Sequence, residues 1–139
     1  MTSVADDIQP GQLVGSNLTL QQGLWGGLIV LGRAPISVSG GATAQIEGIP
    51  ASDTNGLYGG SDASDNSGIY NYISVRHGGT SIGEGNEING VTFGGVGTGT
   101  QVSNIEVVAN VDDGIEFFGG TVNASNLLVW AQGDDGLDI

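Results

Sequence analysis

The sequence predicts an all-β fold: a single-domain, right-handed parallel β-helix of about four coils with a period near 22 residues. Three observations predict it. A gap-free internal repeat occupies the C-terminal third of the chain. Within that repeat the apolar residues alternate with a period of 2, the signature of strands with one buried face. Gly fills 27 of the 139 positions, where the usual share of about 7% would give roughly ten. Helix interiors tolerate Gly poorly. Short strands joined by Gly, Asn and Asp corners are what one coil per repeat requires.

The repeat aligns Ser103 through Phe117 with Ser125 through Ile139 at a constant offset of 22, and seven of the 15 pairs are identical. A weaker copy, Tyr72 through Gly78, matches Asn104 through Asn110 at an offset of 32. The ten extra residues fit a loop between Gly78 and Asn86. Aromatic–Gly–Gly punctuation recurs at Trp25, Tyr58, Phe93 and Phe118, with His77-Gly78-Gly79 as a variant.

The elements follow in order. The first coil holds Leu28–Leu31, inside the longest apolar run, and Gln45–Ile49. The second holds Ile69–Arg76, placed by the weaker copy, and Glu87–Phe93. The third holds Ile105–Ala109 and Ile115–Phe118, and the fourth Leu127–Ala131 and Leu137–Ile139. Ile105, Val107 and Ala109 point inward, as do Leu127, Val129 and Ala131; Glu116 and Asp138 point outward. Residues 50–67 read as one long surface loop. Residues 1–22 read as irregular or a partial coil, with Pro10-Gly11 and Gly15 breaking any helical run.

Charge narrows the function classes. Asp and Glu total 15 against two Arg and no Lys, a net charge of −13. Nucleic acid and anionic lipid surfaces are repelled by such a chain, whereas multivalent cations, above all calcium, are favoured. No Cys is present, so no disulfide or thiolate metal site exists. The longest apolar run, Gly26 to Gly32, is far too short for a membrane span. Asp6 and Asp7 stand where a signal peptide would carry basic residues.

Four strings stand out together: Leu24-Trp25-Gly26-Gly27-Leu28-Ile29-Val30-Leu31-Gly32-Arg33-Ala34-Pro35-Ile36, Gln45-Ile46-Glu47-Gly48-Ile49, Gly85-Asn86-Glu87-Ile88-Asn89-Gly90, and Asp112-Asp113-Gly114-Ile115-Glu116-Phe117-Phe118-Gly119-Gly120. Over nearly the whole chain the sequence resembles a family of bacterial secreted or cell-surface proteins, right-handed parallel β-helices of the pectin-lyase-like type. The resemblance implies the fold and export to the cell surface or beyond. It implies no reaction.

The Asp-Asp-Gly corners are the sharpest chemical feature. One coil offset stacks Asp112 on Asp134, Asp113 on Asp135 and Glu116 on Asp138. Like charges about 5 Å apart raise one another's cost of ionising, and calcium, which takes six to eight oxygens, would relieve it. The competing reading is architectural: Asp side chains cap main-chain N–H groups at a tight corner, with Gly supplying positive φ. A third is catalytic, since Gln132-Gly133-Asp134-Asp135 is similar to the Asp-Asp motif of β-helix glycosidases. Their Gly-His-Gly and basic motifs are absent, and two scattered Arg residues make a lyase a poor fit.

The outward positions Arg76, Val108 and Trp130 form a column able to stack on a polysaccharide ring or seat a partner. The lone His77 fills a coil corner. Gly94 through Gly99 lacks the Lys and the following helix of a phosphate cradle. These observations favour a non-enzymatic secreted or cell-surface module, structural or adhesive, with glycan or calcium as its ligand. The alternative is a fragment of a carbohydrate-active β-helix enzyme, a glycoside hydrolase rather than a lyase. Uncapped terminal coils further suggest an excerpt of a longer solenoid and self-association through those coils.

Overall fold

The computed structural model describes residues 1–8, 17–83 and 86–139. Pro10-Gly11, Gly15 and Gly85, singled out above, lie outside the described residues. Eleven strands are present among the described residues: β1 Leu28–Leu31, β2 Ala44–Gln45, β3 Leu57–Tyr58, β4 Ile69–Arg76, β5 Ser81–Gly83, β6 Asn86–Glu87, β7 Val91–Val96, β8 Gln101–Val108, β9 Ile115–Gly120, β10 Ala124–Trp130 and β11 Leu137–Asp138. Seven of them build two parallel sheets, a first in the order β1-β7-β9-β11 and a second in the order β10-β8-β4. The chain alternates between these sheets, so the fold is a parallel β-helix.

The register places equivalent residues on one another. Val75, Val107 and Val129 stack in the second sheet, and Val91, Ile115 and Leu137 in the first. Val75, Val91, Phe93 and Ile115 are fully buried, and Ile105 and Val107 nearly so. Phe93 stacks on Phe117 at 5.3 Å, with Tyr70 edge-on to Phe93 at 5.9 Å. Each such side chain contributes about 1.5–3 kcal/mol by leaving water. At the last rungs an open pocket of about 350 Å³ is lined by Phe117, Val122, Leu127, Leu137 and Ile139.

Two bends recur in every coil of the second sheet. Tyr72, Asn104 and Asn126 share a φ of 53–56°, and His77, Ala109 and Ala131 share one of 58–62°. Asn tolerates this left-handed region. It also ties the bends together, because Asn126 Nδ2 donates to Asn104 Oδ1 and Asn104 Nδ2 to Asn71 Oδ1. His77 sits at a corner, fully buried, with Nδ1 2.7 Å from the Gln21 carbonyl.

The first coil differs from the sequence reading. Leu28–Leu31 pairs with Val91–Val96, so its partner in the same coil is Ile69–Arg76. Gln45–Ile49 is not a rung of the solenoid: β2 pairs antiparallel with β3 inside a long excursion that leaves after β1 and returns at β4. β1 through β4 therefore make one coil where the period had suggested parts of two, and β11 opens the fourth. Residues 50–67 are not a simple surface loop either. They hold a 3-10 turn at Thr54–Gly56 and strand β3, and they bury Tyr58 and Asp65. The excursion docks where the glycine-rich run admits it: a Cβ on Gly97 would lie 2.4 Å from Asp65 N, and one on Gly99 2.5 Å from the Ser64 carbonyl. Glu87–Phe93 also splits, with β6 pairing antiparallel with β5 before β7 begins.

No helix among the described residues is long and apolar enough to cross a membrane. Replacing Val107, 1% exposed, with Asp places an unpaired charge between two rungs. The expected cost exceeds about 4 kcal/mol, read as loss of the cooperative melt; a melting temperature within a degree of the parent would refute the inward assignment.

Candidate functional site

The Asp-Asp-Gly corners are shaped by close approach and not by positive φ. A Cβ on Gly90 would lie 2.7 Å from the Gly114 carbonyl oxygen, and one on Gly114 2.8 Å from that of Gly136. Neither Gly114 nor Gly136 has a positive φ; the left-handed residues of the corner are Ala109 and Ala131. Removing the side chain lets the main chain stack directly, Gly90 N–H on the Asp113 carbonyl and Gly114 N–H on that of Asp135. Buried Asn110 braces the corner, donating to the carbonyls of Ile88 and Asp113 at 3.1 and 2.8 Å.

This stacking gathers five of the six carboxylates singled out in the sequence into two groups. Asp112, Asp113 and Asp134 bring oxygens within 4.8 Å of one another, and so do Asp113, Glu116 and Asp138. Asp113 belongs to both groups. Asp135 belongs to neither; its main-chain N–H donates to Asp113 Oδ1 at 2.8 Å, so the capping role holds for this pair. Glu116 stacks on Asp138 below and on Thr92 above.

Burial dominates the electrostatics here. It lifts the Glu116 carboxyl to about 7, the Asn89 amide opposes the rise, and the charges of Asp113, Asp138 and Glu47 add to it. Asp113 is raised by burial as well, against the Asp135 N–H, with Asp138, Asp134 and Asp135 contributing repulsion. Tyr58 is raised by burial and then by Glu116. Its ring lies 6.1 Å from that of Phe118, edge-on.

Comparison with known families decides the lineage. A family model described as a pectate-lyase-like β-helix domain matches residues 9–139. The chain belongs to this family. No curated protein and no solved structure matches it.

In this β-helix domain the column Arg76, Val108 and Trp130 occupies three adjacent rungs of the second sheet, on its outward face. Arg76 does not project a free charge. Its guanidinium grips both carboxylate oxygens of Glu106 at 3.0 and 2.9 Å, and its Nε donates to Ser74 Oγ. Burial works against ionising Glu106, but the hydrogen bonds from Ser74 and Arg76 and the Arg76 charge outweigh it and hold the carboxyl below its ordinary range. Trp130 is 65% exposed.

Asn89, Thr92, Tyr58 and Glu47 belong to the acidic site and escaped the sequence reading. A signal for Asn89 and Thr92 existed. Asn89-Gly90-Val91-Thr92-Phe93 is the same motif as Asp113-Gly114-Ile115-Glu116-Phe117, displaced by 24 residues where the repeat runs at 22. Tyr58 and Glu47 arrive on the excursion, and no local pattern announces them.

The raised Glu116 carboxyl fixes a sign for pH dependence. The unfolded chain loses this proton near 4.5 and the folded chain near 7, so the folded form binds more protons between those values and stability falls as pH rises through that window. Thermal melts in metal-free buffer should show a lower melting temperature at pH 7.5 than at pH 5, with a flatter profile in Glu116→Gln. A variant profile identical to the parent's would refute the assignment.

Proposed function

We propose that this β-helix domain is a non-enzymatic, secreted or cell-surface module that lays the outward face of its second sheet against a neutral polysaccharide. The carrying observation is the Arg76–Val108–Trp130 column with Arg76 cancelled by Glu106. On a molecule of net charge −13 this face is locally neutral and apolar, with Leu128 and Trp130 58% and 65% exposed. An indole offers a flat apolar surface for the C–H face of a sugar ring. The ion pair beside it supplies oriented donors and acceptors for hydroxyls. Polyuronates and phosphorylated glycans meet the field of the surrounding carboxylates and are disfavoured.

Affinity electrophoresis against neutral glucans, galactans and mannans, beside polygalacturonate, tests this reading. Retardation by a neutral polymer and not by the polyuronate is expected, and Trp130→Ala should weaken it at least tenfold, about 1.4 kcal/mol. Binding unchanged in that variant would reject the face. Reducing-end release from the same polymers is the outcome that would instead mark the chain as part of a glycoside hydrolase. Loss of that release in Glu116→Gln would assign the chemistry to the acidic corner.

A further inference from the structure

We propose that Tyr72 is a second sugar-stacking residue on the outward face of the second sheet, so that this face takes an extended neutral polysaccharide across several sugar units and not a single ring. The inference rests on the polysaccharide reading above and deepens it.

Two observations carry it. The first is a strained main chain that nothing inside the molecule offsets. Tyr72 holds a φ of 53°, in the left-handed region that bulky side chains avoid. Asn104 and Asn126 take the same bend in the next two coils, and Asn tolerates it. Tyr72 is 82% exposed, so its side chain gains almost no burial. No hydrogen bond or ring contact engages that side chain among the described residues. Of the described left-handed residues it is the one large side chain in solvent, since His77, at the other bend, is fully buried. Strain held without compensating packing concentrates where a ligand is met.

The second observation is the surface that Tyr72 heads. Beside it, Asn71 Oδ1 accepts from Ser103 Oγ at 3.1 Å and from Asn104 Nδ2 at 2.9 Å, and Asn126 Nδ2 donates to Asn104 Oδ1 at 3.1 Å. Among the described residues this amide ladder leaves Asn71 Nδ2 and Asn126 Oδ1 free at its two exposed ends, a donor and an acceptor for hydroxyls. Four residues further along the strands stand Arg76, Val108 and Trp130. Between the two columns lie Ser74, Glu106 and Leu128. The charges among these residues, Glu106 and Arg76, cancel one another. A track without net charge joins the tyrosine to the indole.

The spacing selects a chain over a single sugar. Trp130 lies two rungs from Tyr72, about 10 Å across the sheet, and four residues along the strands, about 13 Å. One sugar ring cannot touch both aromatic residues, whereas an oligosaccharide of several units laid diagonally over Glu106 can. Each aromatic ring offers a flat apolar surface to one sugar. Once the first sugar is seated the second contact is intramolecular, so affinity rises steeply with chain length.

Calorimetric titration of β-1,4-linked gluco-, galacto- and manno-oligosaccharides, from disaccharide to hexasaccharide, into the parent, Tyr72→Asn and Trp130→Ala tests the proposal. The hexasaccharide of at least one series is expected to bind about tenfold or more tighter than its disaccharide. Tyr72→Asn should lose that gain, leaving the two within threefold of one another, while Trp130→Ala weakens both. Asn is the residue of the next two coils at this bend, so Tyr72→Asn should also raise the melting temperature. The fold is then intact, and the lost affinity belongs to the tyrosine side chain. Hexasaccharide affinity in Tyr72→Asn within threefold of the parent would overturn the role of Tyr72; if Trp130→Ala still weakens binding, the polysaccharide face stands with one stacking residue. A lowered melting temperature in Tyr72→Asn would also overturn it, by making the tyrosine a structural residue of the bend. So would the absence of binding by every hexasaccharide at millimolar concentration. Polymer retardation that depends on Trp130 would in that case keep the reading beneath the proposal, and its absence would remove both.

Discussion

Each coil must bring its main chain within hydrogen-bonding reach of the coil before it, at a rung spacing of about 4.8 Å, and the corner is where this is hardest. Gly27, Gly90 and Gly114 solve it in one column. A Cβ on Gly27 would collide with the Asn89 carbonyl at 2.1 Å, and one on Gly114 with Val129 at 2.2 Å. Without that column the strands of the first sheet could not sit in register, and the valine, isoleucine and phenylalanine ladders of the interior would not align.

The same constraint creates the chemistry. Because rungs repeat in register, whatever one coil carries on its outward face lies a few ångströms from what the next coil carries there. In the first sheet this stacks Thr92, Glu116 and Asp138 and crowds acids at the corner. In the second it stacks Arg76, Val108 and Trp130. Along this column Glu116 is half-buried and its carboxyl is lifted to about 7, while Asp138, one rung down, is exposed.

The excursion between β1 and β4 modifies one side of this stack. It lays Tyr58 against Gly94, where a Cβ would come within 3.0 Å of the ring, and brings Glu47 into the field of Glu116. It also seats Asp65 at Gly97 and pairs it with Arg33 at 3.7 Å, on the rim. The outward faces of the two sheets are left chemically distinct, one acidic and partly walled by the excursion, the other locally neutral and carrying Trp130.

The sequence alone determined the strand character, the in-and-out parity and the columns over residues 103–139. Parity along a strand is a local property, and a gap-free offset of 22 maps one coil onto the next without knowledge of the fold. That is why Ile105 and Val107 as core, and Asp113, Glu116 and Asp138 as neighbours, were legible. Tertiary structure alone decided the rest, because the spacing between stacked strands is not constant. From Val91 to Ile115 it is 24 residues, and from Leu28 to Val91 it is 63, with the excursion between. Unequal spacing hid Asn89 as the counterpart of Asp113, assigned Gln45–Ile49 to a coil it does not join, and left Tyr58 and Glu47 unseen. The positions of Tyr58 and Glu47 are set by the long-range docking of the excursion, with Tyr58 against Gly94, which residues adjacent in sequence do not encode.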